Sequence, residues 1–167
     1  MHYNTFKKKN ASQKKSLKDF LAKLDHIVPE EMPQLVAEED AKVWKETQCL
    51  DCANCCKKMT PTYTAKDIKR IAKHFGMTVP EFKKKWLMQD QDNGDWVNQS
   101  TPCQFLGSDH KCSIYTIRPD DCAQFPHHHK KPFDDYNDTF SQNIEYCPAT
   151  YNLVSRLKKR IEKEYEW

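Results

Sequence analysis

Four cysteines fall within eight residues, C-L-D-C-A-N-C-C from Cys49 through Cys52 and Cys55 to Cys56, and that density limits what the chain can become. Four more follow at Cys103, Cys112, Cys122 and Cys147. A two-residue gap lets neighbouring thiolates converge on one ion, because the backbone can turn around a metal with its amides facing the sulfurs. Buried free thiols behaving as small apolar side chains would explain one isolated cysteine better than eight. A disulfide framework belongs to oxidising compartments. The first thirty residues lack the apolar core of a secretory signal, and no stretch approaches the roughly 18 apolar residues of a membrane span. A soluble, cytoplasmic protein is therefore expected, with its cysteines serving as metal ligands.

Three cysteines at successive two-residue gaps carry more information than one pair. Zinc sites usually take cysteines in pairs, whereas a cubane cluster accepts three from one loop, as in bacterial ferredoxins, which also place a proline after the remaining ligand. Here Cys147 precedes Pro148. Cys55 and Cys56 are adjacent, and neighbouring side chains of an extended chain point to opposite sides, which makes a shared mononuclear ion awkward. The spacing suggests two sites, one from Cys49, Cys52, Cys55 and Cys147 and the other from Cys56, Cys103, Cys112 and Cys122. A single polynuclear cluster stays open, as does the choice between zinc and iron, since both accept thiolates.

Cys103 and Cys112 flank C-Q-F-L-G-S-D-H-K-C, whose central turn would bring the two sulfurs to the base of a hairpin, like a zinc-ribbon knuckle with wider spacing. Apolar residues make up 38% and charged residues 31% of the 167-residue chain, so its core is expected to be thin. Structural zinc contributes on the order of 10 to 16 kcal/mol of apparent binding free energy coupled to folding, enough to offset that shortage.

Helical spacing of Leu17, Phe20, Leu21, Leu24, Ile27 and Val28 predicts an amphipathic helix ended by Pro29, and a second is expected from about Pro33 to Glu46, with Val36, Val43 and Trp44 on one side. Lys7, Lys8, Lys9, Lys14 and Lys15 read as a solvated, frayed start. Thr64 before Asp67 and Thr78 before Glu81 predict capped helices, the first carrying Ile68, Ile71, Ala72 and Phe75 to a stop at Gly76, the second carrying Phe82, Trp86 and Leu87. Between Asp95 and Ile117, Trp, Val, Phe, Ile, Tyr and Thr suggest two or three short strands, with turns at Gly94 and Gly107. Pro119, Asp120 and Asp121 suit a short helix holding Cys122 and stopped by Pro126. Residues 127 to 142 have no period and read as an irregular loop, and Leu153, Val154, Leu157, Ile161 and Tyr165 mark a closing helix from about Ala149.

Arg118 could donate to thiolates, or brace its loop through backbone carbonyls or Asp121, which is the simpler account. Tyr115 reads as a packed strand residue. His127, His128 and His129 could ligate a metal, but a polar loop explains them more economically, as exposure does His110. Lysines and arginines exceed carboxylates by three, too little to argue for nucleic acid or anionic lipid. With Gly76, Gly94 and Gly107 as the only glycines, there is neither a phosphate loop nor a dinucleotide fingerprint. No nucleophile elbow or HExxH motif is present, so no catalytic residue is assigned.

The C-x-x-C-x-x-C-C run, then Pro102, Cys103, Phe105 and Leu106, then C-S-I-Y-T-I-R-P-D-D-C and Phe125-Pro126, resemble the CxxCxxCC cysteine-cluster family, the YkgJ-like group of zinc- or iron-chelating domains. The resemblance covers roughly residues 49 to 148 and implies metal chelation without a set reaction. The chain departs from the usual pattern at Gln104, where proline is common, and at Ala123, where a basic residue is. A related cysteine cluster in flagellin lysine methylases implies a remote methyl-transfer alternative.

The expected protein is α+β and mainly α, a small cysteine-rich, metal-stabilised domain with a short hairpin and flanking helices. Residues 1–48 form a helical arm, 49–148 the metal domain with all eight cysteines as ligands, and 149–167 a helix packing on it. Its cofactor is zinc or iron, with an iron-sulfur cluster included, in one or two sites. A metal-binding role is the leading reading, with a protein as a further partner and no nucleic acid or membrane. An iron-sulfur redox or methyl-transfer enzyme and a zinc-stabilised protein or nucleic-acid interaction module are the alternatives.

Overall fold

The computed structural model describes residues 3–48 and 52–165. The chain divides into two compact units, one made of residues 1–48 and 126–167 and the other of residues 49–125. The fold is mainly helical, with one two-stranded antiparallel hairpin.

The first unit contains α1 (Tyr3–Leu24) and α2 (Met32–Glu46). The first helix is longer than the apolar stripe alone predicts. It begins at Tyr3 because Phe6 and Asn10 are buried about three and two turns ahead of Leu17, while the lysines between them face solvent. The lysine-rich start is thus solvated but helical, not frayed. The helix also stops at Leu24, so Ile27 and Val28 lie beyond it and are 51% and 41% exposed. Pro33 sits in the first turn of α2, where a missing amide costs nothing.

The second unit follows with a short α3 (Asn54–Lys58), then α4 (Ala65–His74) and α5 (Val79–Trp86). Both longer helices start on complete capping boxes. The Thr64 hydroxyl accepts from the Asp67 amide while the Asp67 side chain accepts from the Thr64 amide, and Thr78 and Glu81 repeat the exchange. Gly76 takes φ +63° just past α4, a conformation that glycine adopts without a Cβ penalty.

Strand β1 (Leu87–Gln89) leaves α5 directly and pairs with β2 (Trp96–Asn98) in the register Leu87 to Asn98, Met88 to Val97 and Gln89 to Trp96. The expected sheet therefore takes one of its strands from residues that continue the helical period of α5. Leu87 satisfies both patterns, and pairing with β2 decides between them. Tyr63 adds a bridge to Trp96, and Leu106 bridges Cys112 around the Gly107 turn. Tyr115 lies in a 3-10 turn (Tyr115–Ile117) and is 44% exposed, which corrects its reading as a packed strand residue. The helix α6 (Asp120–Gln124) carries Cys122 and ends before Pro126 as expected.

A core of Tyr63, Ile68, Ile71, Ala72, Phe82, Leu87, Phe105 and Ile114 holds this unit together. Phe105 is its hub: its ring stacks against Phe82 at 6.4 Å and Phe75 at 5.7 Å and meets Trp86 edge-on at 5.3 Å. Phe105 lies two residues beyond Cys103, so the core fixes the loop on which that cysteine stands.

After Phe125 the chain returns to the first unit. The expected irregular loop is ordered instead by a 3-10 turn (Asp134–Tyr136) and α7 (Asn137–Asn143), since Phe133 and Phe140 stack at 4.2 Å in the core. Finally α8 (Pro148–Glu164) packs against α1, α2 and α7, burying Leu153, Val154, Leu157 and Ile161 completely. Among the described residues no helix is long and apolar enough to cross a membrane.

Candidate metal centre

Cys56, Cys103, Cys112 and Cys122 all belong to the second unit, and each is held by a different piece of local structure. Cys56 sits in α3, whose start is turned by Ala53 in the left-handed region at φ +48°. The Cys103 amide donates to the Cys56 carbonyl at 2.8 Å, which ties the cysteine-rich run to the later loop by its main chain. Cys112 closes the small hairpin that starts at Leu106, where the Gly107 amide donates to the Lys111 carbonyl at 2.8 Å.

Cys122 is placed from α4. Arg70 sends Nη2 to the Asp67 carboxylate at 2.6 Å and to the Arg118 carbonyl at 2.9 Å. The Asp120 amide donates to the same carboxylate at 3.2 Å, so a buried acid on α4 anchors the start of α6. On the other side Asp121 accepts from the Thr62 amide at 3.1 Å.

The sulfurs share one electrostatic neighbourhood. The Cys56 thiol is drawn down to about 7, chiefly by hydrogen bonding with Cys55, whose sulfur is 3.9 Å away. Burial pushes the thiols of Cys103, Cys112 and Cys122 upward, and negative charge on Cys56 pushes each of them further. Cys103 and Cys112 repel one another in the same way, and both act on Cys122. Four thiols that penalise one another's ionisation gain most from a cation, which reverses the sign of that interaction.

Backbone amides oppose the burial at two of these positions. Backbone hydrogen bonding from Phe105 lowers the Cys103 thiol, and that from Ile114 lowers the Cys112 thiol. In both loops the donor is two residues beyond the cysteine, and such a hydrogen bond favours the thiolate over the thiol. This donor set fits a thiophilic metal: soft sulfur ligands, amides already directed at them, and the positive charge of Arg118 acting on Cys112. Arg118 also braces its own loop, donating to the Tyr115 carbonyl at 2.6 Å with its guanidinium 3.9 Å from the Tyr115 ring centroid. The loop-bracing role anticipated for it is present, through the Tyr115 carbonyl.

Among the described residues, no group of three or more His, Cys, Asp or Glu side chains stands as placed at metal-ligating separation. Cys49 lies outside the described residues. Cys147 belongs to the first unit, where its amide donates to the Asn143 carbonyl at 2.8 Å ahead of α8. His127, His128 and His129 are also in the first unit, whereas His110 is in the second. His129 and His110 are exposed, but His127 and His128 are buried, which corrects their reading as a polar loop. His128 lies between the Asp40 carboxylate (Nδ1, 2.6 Å) and the Thr150 hydroxyl (Nε2, 3.0 Å), with Trp44 and Phe140 beside the ring.

Tyr63, Asn98 and Gln104 are neighbours of the site that spacing alone does not reveal. Tyr63 and Asn98 are both buried, and burial followed by the nearby charges of Cys103, Cys122 and Cys112 keeps the Tyr63 phenol protonated. The one local signal was Gln104, a polar residue beside a cysteine in an otherwise apolar P-C-Q-F-L run.

Cys56, Cys103, Cys112 and Cys122 stand in one unit and act on one another's thiols, an arrangement that fits a metal-binding class of protein. Residues 48–148 match the profile of the CxxCxxCC family, described as a putative zinc- or iron-chelating domain, and the chain belongs to that family. The match includes every cysteine. Neither a curated protein nor a solved structure matches the chain.

Proposed function

We propose that the protein binds one divalent zinc or iron ion through the thiolates of Cys56, Cys103, Cys112 and Cys122, and that its function is metal handling or metal-dependent interaction with another protein. The observation that carries this reading is the pair of amide-backed thiols at Cys103 and Cys112 within reach of the charge on Cys56. Four thiolates around a divalent ion leave a net charge of two minus, and the Phe105 and Ile114 amides and Arg118 are placed to disperse it. Drawing the four sulfurs onto one centre is a step that metal binding itself would drive, as in other small domains where binding and folding are coupled. Zinc would supply cross-linking alone, and iron would add redox chemistry.

The test is anaerobic purification followed by elemental analysis and a visible spectrum, with single serine substitutions at the four cysteines. Each substitution should remove the same equivalent of metal. A wild-type protein that is metal-free, folded and fully reactive toward thiol reagents would overturn the proposal, as would full metal retention in C56S, C103S, C112S or C122S.

A further inference from the structure

Asn98 closes β2 with a side chain that is 3% exposed, and its polar atoms are unequally served. Its Oδ1 accepts twice, from the Tyr63 hydroxyl at 2.6 Å and from Gln104 Nε2 at 2.9 Å. With both donors on the oxygen end of the carboxamide, the Nδ2 points away from Tyr63 and Gln104. The Nδ2 is buried and, among the described residues, meets no acceptor at hydrogen-bond geometry. Its backbone offers no slack either, because the Asn98 amide donates to the Thr60 hydroxyl at 3.0 Å and the residue pairs with Leu87.

A buried amide donor left unmet is costly, and a well-ordered site that retains one has a use for it. The group near this one is Cys103, whose sulfur feels the Asn98 side chain as a donor favouring the thiolate. Gln104, the residue that holds Asn98, is the immediate chain neighbour of that same cysteine. The relay therefore starts and ends on one loop: the Gln104 side chain holds Asn98, and the Asn98 side chain lowers the thiol beside Gln104.

We infer that Asn98 is a positioning residue for the metal centre, donating Nδ2–H to the Cys103 sulfur when that sulfur is a metal-bound thiolate, with Tyr63 and Gln104 holding the carboxamide in the donating orientation. The inference rests on the metal reading above. It assigns Cys103 two donors, the Phe105 amide and Asn98, and makes it the most firmly held of the four sulfurs. Removing an outer partner of this kind weakens metal binding by about tenfold or more.

The experiment compares wild type, N98D and the double variant Y63F/Q104A, each loaded with zinc, by the rate of zinc transfer to a competing chelator and by the sulfur-to-cobalt charge-transfer band of the cobalt-substituted protein. Asn98→Asp keeps the acceptor for Tyr63 and Gln104 and replaces the donor by a carboxylate. It should release zinc about tenfold faster and shift the band, with helical content unchanged. The double variant leaves Asn98 in place but unoriented and should fall between wild type and N98D. It supplies the reading if N98D does not fold. Wild-type release rates and an unshifted band in a folded N98D, or in the double variant, would overturn the role of Asn98 and leave the metal site standing. A wild-type protein that takes up no metal would instead remove the reading beneath it.

Discussion

Asp67 and Asp120 lie 53 residues apart in sequence, yet the amide of one donates to the carboxylate of the other at 3.2 Å. The same carboxylate group caps α4 through Thr64 and receives Arg70, so one buried acid holds a helix start, a cation and the helix bearing Cys122. Asp67→Ala should cost about 3 kcal/mol, the sum of a lost cap near 1 kcal/mol and charge-assisted bonds worth about 2 more. Urea unfolding measures it. A loss under 0.5 kcal/mol would show that the anchor is dispensable.

Acid should expose the same residue. Burial pulls the Asp67 carboxyl upward, but hydrogen bonds from the Thr64 hydroxyl and amide, the Asp120 amide and Arg70 outweigh it and leave the group below its ordinary range. A carboxyl lowered on folding stabilises fully above its unfolded pKa of about 3.9 and loses that contribution as pH falls through the lower folded value. Stability should therefore drop below about pH 4 more steeply in wild type than in D67A. Parallel curves would contradict this.

His128 is predicted to matter for the first unit and not for metal. Replacing it with phenylalanine fills the space between Trp44 and Phe140 but leaves the Thr150 hydroxyl, which is fully buried, and the Asp40 carboxylate without the ring nitrogens. The expected cost is about 3 kcal/mol with metal content unchanged. Metal loss in a folded H128F would place the histidine at the centre after all.

Ala53→Gly should stabilise the protein. A left-handed alanine costs about 1 to 2 kcal/mol, while the extra freedom glycine brings to the unfolded chain returns about 0.5 to 1, so a net gain of about 0.5 to 1 kcal/mol is expected at φ +48°. A lower urea midpoint in A53G would mean that the Cβ makes a packing contribution larger than its strain.

Metal removal should act on the second unit first. Its core of eight buried side chains is smaller than that of the first unit, so a chelator should lower its thermal transition while the helical signal from α1, α2 and α8 persists. Calorimetry would show the two transitions separating, and an unchanged single transition would argue against a structural metal.

The parts of this fold that were legible in the sequence are those specified by neighbours three or four residues apart. Thr64 with Asp67 and Thr78 with Glu81 encode their helix starts locally, and the α8 stripe from Leu153 to Ile161 needs only its own period. Phe6 and Asn10 were hidden because two inward-facing residues among lysines do not make a period, and their partners, the Tyr151 ring and the Glu145 carbonyl, are more than 130 residues away. Leu87 was ambiguous until Asn98 paired with it. At the site, cysteine spacing put forward all eight cysteines and suggested grouping Cys56 with Cys103, Cys112 and Cys122. The roles of Asn98, Tyr63 and Asp67 arise from contacts across 35 to 53 residues, which no window on the chain contains.

The bond from the Cys103 amide to the Cys56 carbonyl uses main-chain atoms only. Neither oxidation nor replacement of either sulfur removes it, so the two loops stay clasped when a ligand is lost. On the proposed ligand set, this clasp would keep Cys56 and Cys103 side by side after the ion leaves, and the speed of exchange would then depend on the thiols and their donors.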